Sequence, residues 1–167
     1  MSISIEFANQ FEQDQEQNYL ASIWNAAKVE ECMLMSIPQF THVMGTLPSS
    51  LMEDCLWSAA RGENWDLFFF IADKFSIPPT IVIEYCIRKR NVEYCKKFLE
   101  LPSCYSLELA GLCFIQHTDE FDKIGIRIID TIHKKHKLTL ENREFIYYIT
   151  QAYKVTSSVF NYFSQLK

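Results

Sequence analysis

The stretch Cys55–Phe75, CLWSAARGENWDLFFFIADKF, constrains the fold more than any other part of the chain. An apolar segment (Leu56, Ala59, Ala60) meets a break at Arg61-Gly62-Glu63-Asn64, and a second apolar segment running to Phe75 follows at once. Two helices joined by about four residues must lie antiparallel and pack on each other. The second carries Phe68, Phe69, Phe70 and Ile71 in succession, so it is apolar around most of its circumference and needs cover on more than one side. A single hairpin cannot provide that cover, so neighbours of similar kind are required.

The sequence supplies them. Asn91-Val92-Glu93-Tyr94-Cys95 repeats the order of Asn64-Trp65-Asp66-Leu67-Phe68: asparagine, apolar, acidic, then an apolar stripe. Further copies are expected around Val29, Phe121 and Val155, each preceded by an apolar segment. Taking the apolar residue that opens each second helix gives positions 29, 65, 92, 121 and 155, separated by 36, 27, 29 and 34. Such spacing points to stacked helical repeats. The expected fold is all-α, about ten helices in five hairpins: 15–27 with 29–37, 51–61 with 64–75, 80–89 with 91–101, 106–117 with 119–136, and 140–153 with 155–166. Residues 38–46 are expected to form an additional turn. Residues 1–14 are read as an N-terminal lead or cap and residues 15–167 as one repeat domain.

Boundary signals agree with this layout. Asp14 with Gln17, and Ser50 with Glu53, have the spacing of a capping box, while Ser106 and Thr139 read as N-caps. Pro38, Pro48, Pro78, Pro79 and Pro102 all sit between the expected hairpins, where a missing N–H costs least.

The pattern Leu56-Trp57-Ser58-Ala59-Ala60-Arg61-Gly62-Glu63-Asn64-Trp65-Asp66-Leu67 resembles an ankyrin repeat of a divergent kind, like those in bacterial effectors and large DNA viruses. The family's Thr-Pro-Leu-His opening is absent, and the segments between pairs are too short for regular β-hairpin fingers. The resemblance implies an ankyrin-like α-solenoid that binds a protein partner through its inner helices and loop tips, as a pathogen effector or viral antagonist would.

Composition narrows the setting. The chain has 167 residues, 49% of them hydrophobic, with a formal charge of −5 that argues against nucleic acid as a partner. No apolar run approaches the roughly 18 residues of a membrane span. The opening MSISIEFANQFEQDQEQ has neither a basic start nor an apolar core of a secretory signal, so a cytoplasmic location is expected, host cytoplasm for a pathogen protein. Of the six cysteines, Cys32, Cys55, Cys86, Cys95 and Cys113 fall among apolar residues of expected helices, which favours reduced, buried thiols over disulfides.

Candidate contact residues lie at turns and on exposed aromatics. Arg61 and the run Arg88, Lys89 and Arg90 occupy equivalent inter-helix turns, where a basic tip would grip an acidic surface. His133, Lys134 and Lys135 form a second basic cluster after the fourth hairpin, and the two clusters together would make a basic edge. Trp57 stands where the next repeat has Glu84, so that position tolerates solvent and Trp57 is expected to be partly exposed. One of Tyr147 and Tyr148 is expected to face out. Surface apolar area would serve a partner or a second copy equally, and oligomeric state is left open.

The catalytic alternatives are a small cysteine- or metal-dependent enzyme, built from Cys113 with His117, from His133 with His136, or from Cys86 near Arg88. A basic-edge nucleic-acid binder is the other alternative. No glycine-rich phosphate loop, Gly-x-Ser-x-Gly or His-Glu-x-x-His motif occurs. The reading is therefore a non-catalytic interaction module without cofactor or metal.

Overall fold

The computed structural model describes residues 2–139, 142–145, 147 and 157–165, and every regular element among them is helical. The α-helices are α1 (Ser2–Glu31), α2 (Ile37–Met44), α3 (Met52–Arg61), α4 (Trp65–Lys74), α5 (Pro79–Arg88), α6 (Val92–Phe98), α7 (Leu107–Phe114), α8 (Asp119–His136) and α9 (Ser157–Gln165). Short 3₁₀ turns at Ser49–Leu51 and Pro102–Cys104 join them. The chain packs as two compact units, Met1–Ile77 and Pro78–Lys167. No described helix is long and apolar enough to cross a membrane.

In the first unit, α1 runs without a break through both residue 14 and Lys28. The expected boundary after residue 14 and the expected turn at Lys28 therefore fall inside one helix. The physical reason is that Asn25-Ala26-Ala27-Lys28-Val29 contains no glycine or proline, so nothing stops propagation there. Asp14 is not a cap; its carboxylate accepts a bond from Gln10 Nε2 one turn earlier, at 3.1 Å. The true stop is Ser36-Ile37-Pro38-Gln39. Ser36 Oγ accepts from the Gln39 N–H, Gln39 Oε1 accepts from the Ser36 N–H, and Pro38 sits in the first turn of α2. Helix α2 places Phe40, fully buried, edge-on to Phe70 and Phe75 with ring centres 6.3 and 6.4 Å away. Ser50 is likewise no cap: it lies in a 3₁₀ turn, and α3 starts after Leu51 without a side-chain cap.

The three following hairpins share a regular register that the sequence markers blurred. Each turn has one residue in the left-handed region: Glu63 (φ 54°), Arg90 (φ 56°) and His117 (φ 55°), two steps of 27 residues. The second helices begin with the same period at Trp65, Val92 and Asp119, not at Phe121. In the first two hairpins the helix end is closed by paired backbone bonds of the Schellman type. Asn64 N–H reaches Ala59 O and Glu63 N–H reaches Ala60 O; Asn91 N–H reaches Cys86 O and Arg90 N–H reaches Ile87 O. Asn91, Ser106 and Thr118 then accept from the third residue of α6, α7 and α8.

The cores follow the same register. Positions 55/82/109, 56/83/110, 59/86/113 and 60/87/114 are buried throughout, and so are 68/95/122 and 71/98/125. One member of the last set is a glycine: a Cβ on Gly125 would come within 2.5 Å of the Phe114 ring. Phe114 stands at the register position of Ala60 and Gly125 at that of Ile71, so a large residue on one helix is matched by none on the other. In the last expected pair, residues 142–145 are helical, Thr139 O accepts from the Arg143 N–H at 3.1 Å, and most of 140–153 lies outside the described residues. Helix α9 buries Val159 fully and sets Phe163 edge-on to Phe114 at 5.6 Å.

Candidate functional site

The turn between α3 and α4 is clamped onto the end of α1. A Cβ on Gly62 would lie 2.3 Å from the Met33 carbonyl oxygen and 2.7 Å from its Cα, so only glycine permits this approach. Asn64, which opens α4 without capping it, donates from Nδ2 to the Cys32 carbonyl (3.2 Å) and the Met35 carbonyl (2.8 Å). Both are carbonyls that the end of α1 leaves without helical partners. Arg61 adds an ion pair with Glu30 across the same seam.

That clamp holds α1 alongside α3 and leaves a cleft of about 680 Å³ between them. The α3 wall is Asp54, Trp57, Ser58 and Arg61; the α1 wall presents Asn18, Ser22, Asn25 and Val29. Trp57 is half-buried, as expected, and shares the cleft with Arg61. The site thus combines an aromatic surface with a carboxylate, a guanidinium and several neutral hydrogen-bonding groups. It suits a segment with an apolar anchor and polar flanks.

The second unit has a groove of about 500 Å³ on the corresponding face of α5 and α7. Its wall includes Ile81, Glu84 and Arg88 from α5. Each is 27 residues after Asp54, Trp57 and Arg61. From α7 come Glu108, Gly111, Leu112 and Ile115, each 54 residues after Asp54, Trp57, Ser58 and Arg61. The same helical face of every first helix therefore lines a groove, although the side chains differ.

The basic residues have internal engagements. Arg88 donates through Nε and a terminal nitrogen to Glu84 Oε1 at 3.1 and 2.9 Å. Arg90 reaches Gln116 in the next turn, donating to its side-chain oxygen at 3.1 Å and its carbonyl at 3.4 Å. Lys89 is half-buried. His133 accepts the Leu138 N–H at Nδ1 (3.3 Å), closing the end of α8, Lys134 pairs with Asp130 at 2.7 Å, and Lys135 is exposed. The two clusters are not brought together. Gln116 precedes α8, whereas His133 is fourteen residues into it, roughly 21 Å along the axis at 1.5 Å per residue. The basic edge imagined from the sequence is two separated turns.

The cysteine and histidine pairs do not assemble either. Helix α7 ends at Phe114, so His117 lies in the left-handed turn beyond it and Cys113, fully buried, faces the core. Burial pushes the Cys86 and Cys113 thiols up, and the Cys95 thiol up to about 12. A hydrogen bond with Cys55, together with burial, raises Cys32. Thiols held protonated in apolar surroundings are poor nucleophiles. All six cysteines are free, and only Cys104 is not fully buried. Among the described residues no group of three metal-binding side chains converges.

The signals that sequence reasoning missed were modest: Asn64 looked like a cap, and Asp54, Ser58, Glu84 and Leu112 looked like ordinary helix surface. The 27-residue register would have linked Trp57 to Glu84 and Gly111 had the third repeat been aligned on Asp119. Comparison with family models, with curated proteins and with solved structures finds no match for this chain.

Proposed function

We propose that this chain is a non-catalytic protein-recognition scaffold of divergent ankyrin-like repeats, contacting its partner through the groove face of its first helices. The observation that carries this reading is the recurrence of groove-lining positions at 54/81/108, 57/84/111 and 61/88/115. A repeat architecture builds its core between neighbouring hairpins and leaves function to the surface, and here one face of each repeat is concave and chemically varied. Variation at fixed positions on a constant frame is what partner selection needs. The inner-helix half of the expected binding mode is favoured over the basic turn tips, because Arg61, Arg88 and Arg90 already bind Glu30, Glu84 and Gln116. Six free cysteines, five of them buried, support work in a reducing compartment such as a cytosol.

The test is stoichiometric capture from host lysate with tagged full-length protein, beside groove variants Trp57→Ala and Ile81→Glu and second-helix controls Glu93→Ala and Lys123→Ala. Loss of an aromatic anchor from a groove costs about 2 kcal/mol or more, so the retained partner should fall at least about thirty-fold in affinity. The controls should bind as the parent does. A partner indifferent to both groove changes would sink the proposal.

A further inference from the structure

Helix α1 is turned the wrong way round for a helix that only serves its own unit. At 3.6 residues per turn, Asn18, Ser22, Asn25 and Val29 form the side facing α3, and all but one are polar. Tyr19, Leu20, Ile23 and Trp24 lie on the opposite side and are 67%, 57%, 50% and 40% exposed. The larger apolar residues thus point away from the body, and Ala27 on the same side is also exposed. Residues 9–24 are exposed almost without interruption, and a bare helix of that length is marginal in water. Something covers this stripe.

We propose that the cover is a second copy of the same chain, packed through α1 in antiparallel sense about a two-fold axis near Ala21 and Ser22. The spacing of the stripe is self-complementary. Leu20 and Ile23 are equidistant from the midpoint between residues 21 and 22, and so are Tyr19 and Trp24. A two-fold axis there sets Leu20 against Ile23 of the second copy and Tyr19 against Trp24 of the second copy, each pair occurring twice. Antiparallel packing opposes the two helix dipoles. It also separates the acidic halves: Glu12, Asp14 and Glu16 lie before the axis, and no lysine or arginine precedes Lys28. A parallel pair would place six carboxylates side by side, whereas the antiparallel pair lays each acidic half along Ala26, Ala27 and Lys28 of the other copy. The four stripe residues expose of order 100 Å² each, so two copies bury roughly 800 Å² of apolar side chain. With the flanking polar residues the interface reaches about 1,000 Å², the lower bound for a specific association. Reversible dimerisation follows.

Sedimentation equilibrium of the full chain should show a monomer–dimer equilibrium with a dissociation constant on the order of 10 μM. The double variant Leu20→Glu with Ile23→Glu alters only exposed positions. It should be monomeric up to about 200 μM, at least twenty-fold weaker than the parent. Its tryptophan fluorescence melt should stay near the parent's, which separates lost pairing from lost folding. Orientation is read by mixing Glu16→Cys and Ala27→Cys variants in a Cys104→Ser background: cross-links should join position 16 to position 27. A monomeric parent, leaving the stripe to a different partner, overturns the proposal. So does a double variant that dimerises normally, or a 16-to-16 cross-link. Trp57→Ala should leave the dimer intact, so failure of the groove reading and failure of this one are distinguishable.

Discussion

Replacing Gly62 by alanine gives a result whose sign depends on the tertiary structure. Gly62 has φ −82° and ψ 1°, a conformation open to any residue. On local grounds Gly62→Ala should therefore stabilise by about 0.5–1 kcal/mol, because alanine loses less backbone entropy on folding. The folded chain predicts the reverse. The new methyl would stand 2.3, 2.7 and 2.8 Å from three backbone atoms of Met33, and backbone cannot swing aside as a side-chain tip can. Relieving that overlap costs about 1–3 kcal/mol. It also moves the turn away from α1 and stretches the two Asn64 bonds to Cys32 and Met35, worth about 1 kcal/mol each. The expected loss is about 2–4 kcal/mol, or about 10–20 °C in melting temperature for a unit of this size. All three tryptophans, Trp24, Trp57 and Trp65, lie in the Met1–Ile77 unit, so their fluorescence reports this unit directly during urea or thermal unfolding. The partner substitution Glu63→Gly should go the other way by about 0.5–1 kcal/mol, since Glu63 holds the left-handed position that glycine occupies without strain. A stabilised Gly62→Ala would refute the clamp.

Other substitutions test separate parts of the argument. Asn64→Ala should cost about 1–3 kcal/mol by leaving the Cys32 and Met35 carbonyls short of a donor, against about 1 kcal/mol for Asn91→Ala, which removes only a cap; equal urea midpoints would contradict this. Gly125→Ala should destabilise by about 1–3 kcal/mol because its methyl meets the Phe114 ring, and Phe114→Leu should recover part of that loss in a double-mutant cycle. In native protein, a thiol reagent near pH 8 should modify Cys104 quickly and the five buried cysteines only on unfolding; two or more fast thiols would count against the buried assignment. The raised thiols, with Cys95 near 12 against 9.0 for a free group, keep their protons in the folded state while the unfolded chain gives them up. Their contribution is therefore complete below about pH 9 and is lost as pH rises towards 12, by up to about 1.4 kcal/mol per pH unit for each group. Urea midpoints flat across that range would show that the thiols ionise without penalty.

Hairpins from Met52 onward were legible because each is written locally: an apolar period, a short polar break, then a second period. Helix α8 is the clearest case, bounded as expected at Asp119 and His136 by Thr118 and a basic last turn. The first hairpin was misread for the complementary reason. Lys28 and Val29 matched the opening of a repeat by analogy, but Asn25 to Val29 holds no residue that ends a helix, and continuation costs little. The candidate site was half legible. Trp57 and Arg61 were found from their repeat position, while the cleft they share needs α1, which comes from thirty or more residues earlier.

The sequence by itself determined that this chain is all helical from end to end of its described residues, where most helices stop, and which residues enter the cores. These follow from periodicity and stop signals acting within a turn or two of each residue. Only the tertiary structure decided the roles that depend on a distant neighbour. Gly62 serves close approach to Met33, Asn64 holds the end of α1, and Arg61 and Arg90 tie one element to another. It also decided that α1 turns its polar side to α3 and its aromatic side outward. A helix's period says that it has two faces; which one is buried depends on the free energy of packing against a particular partner.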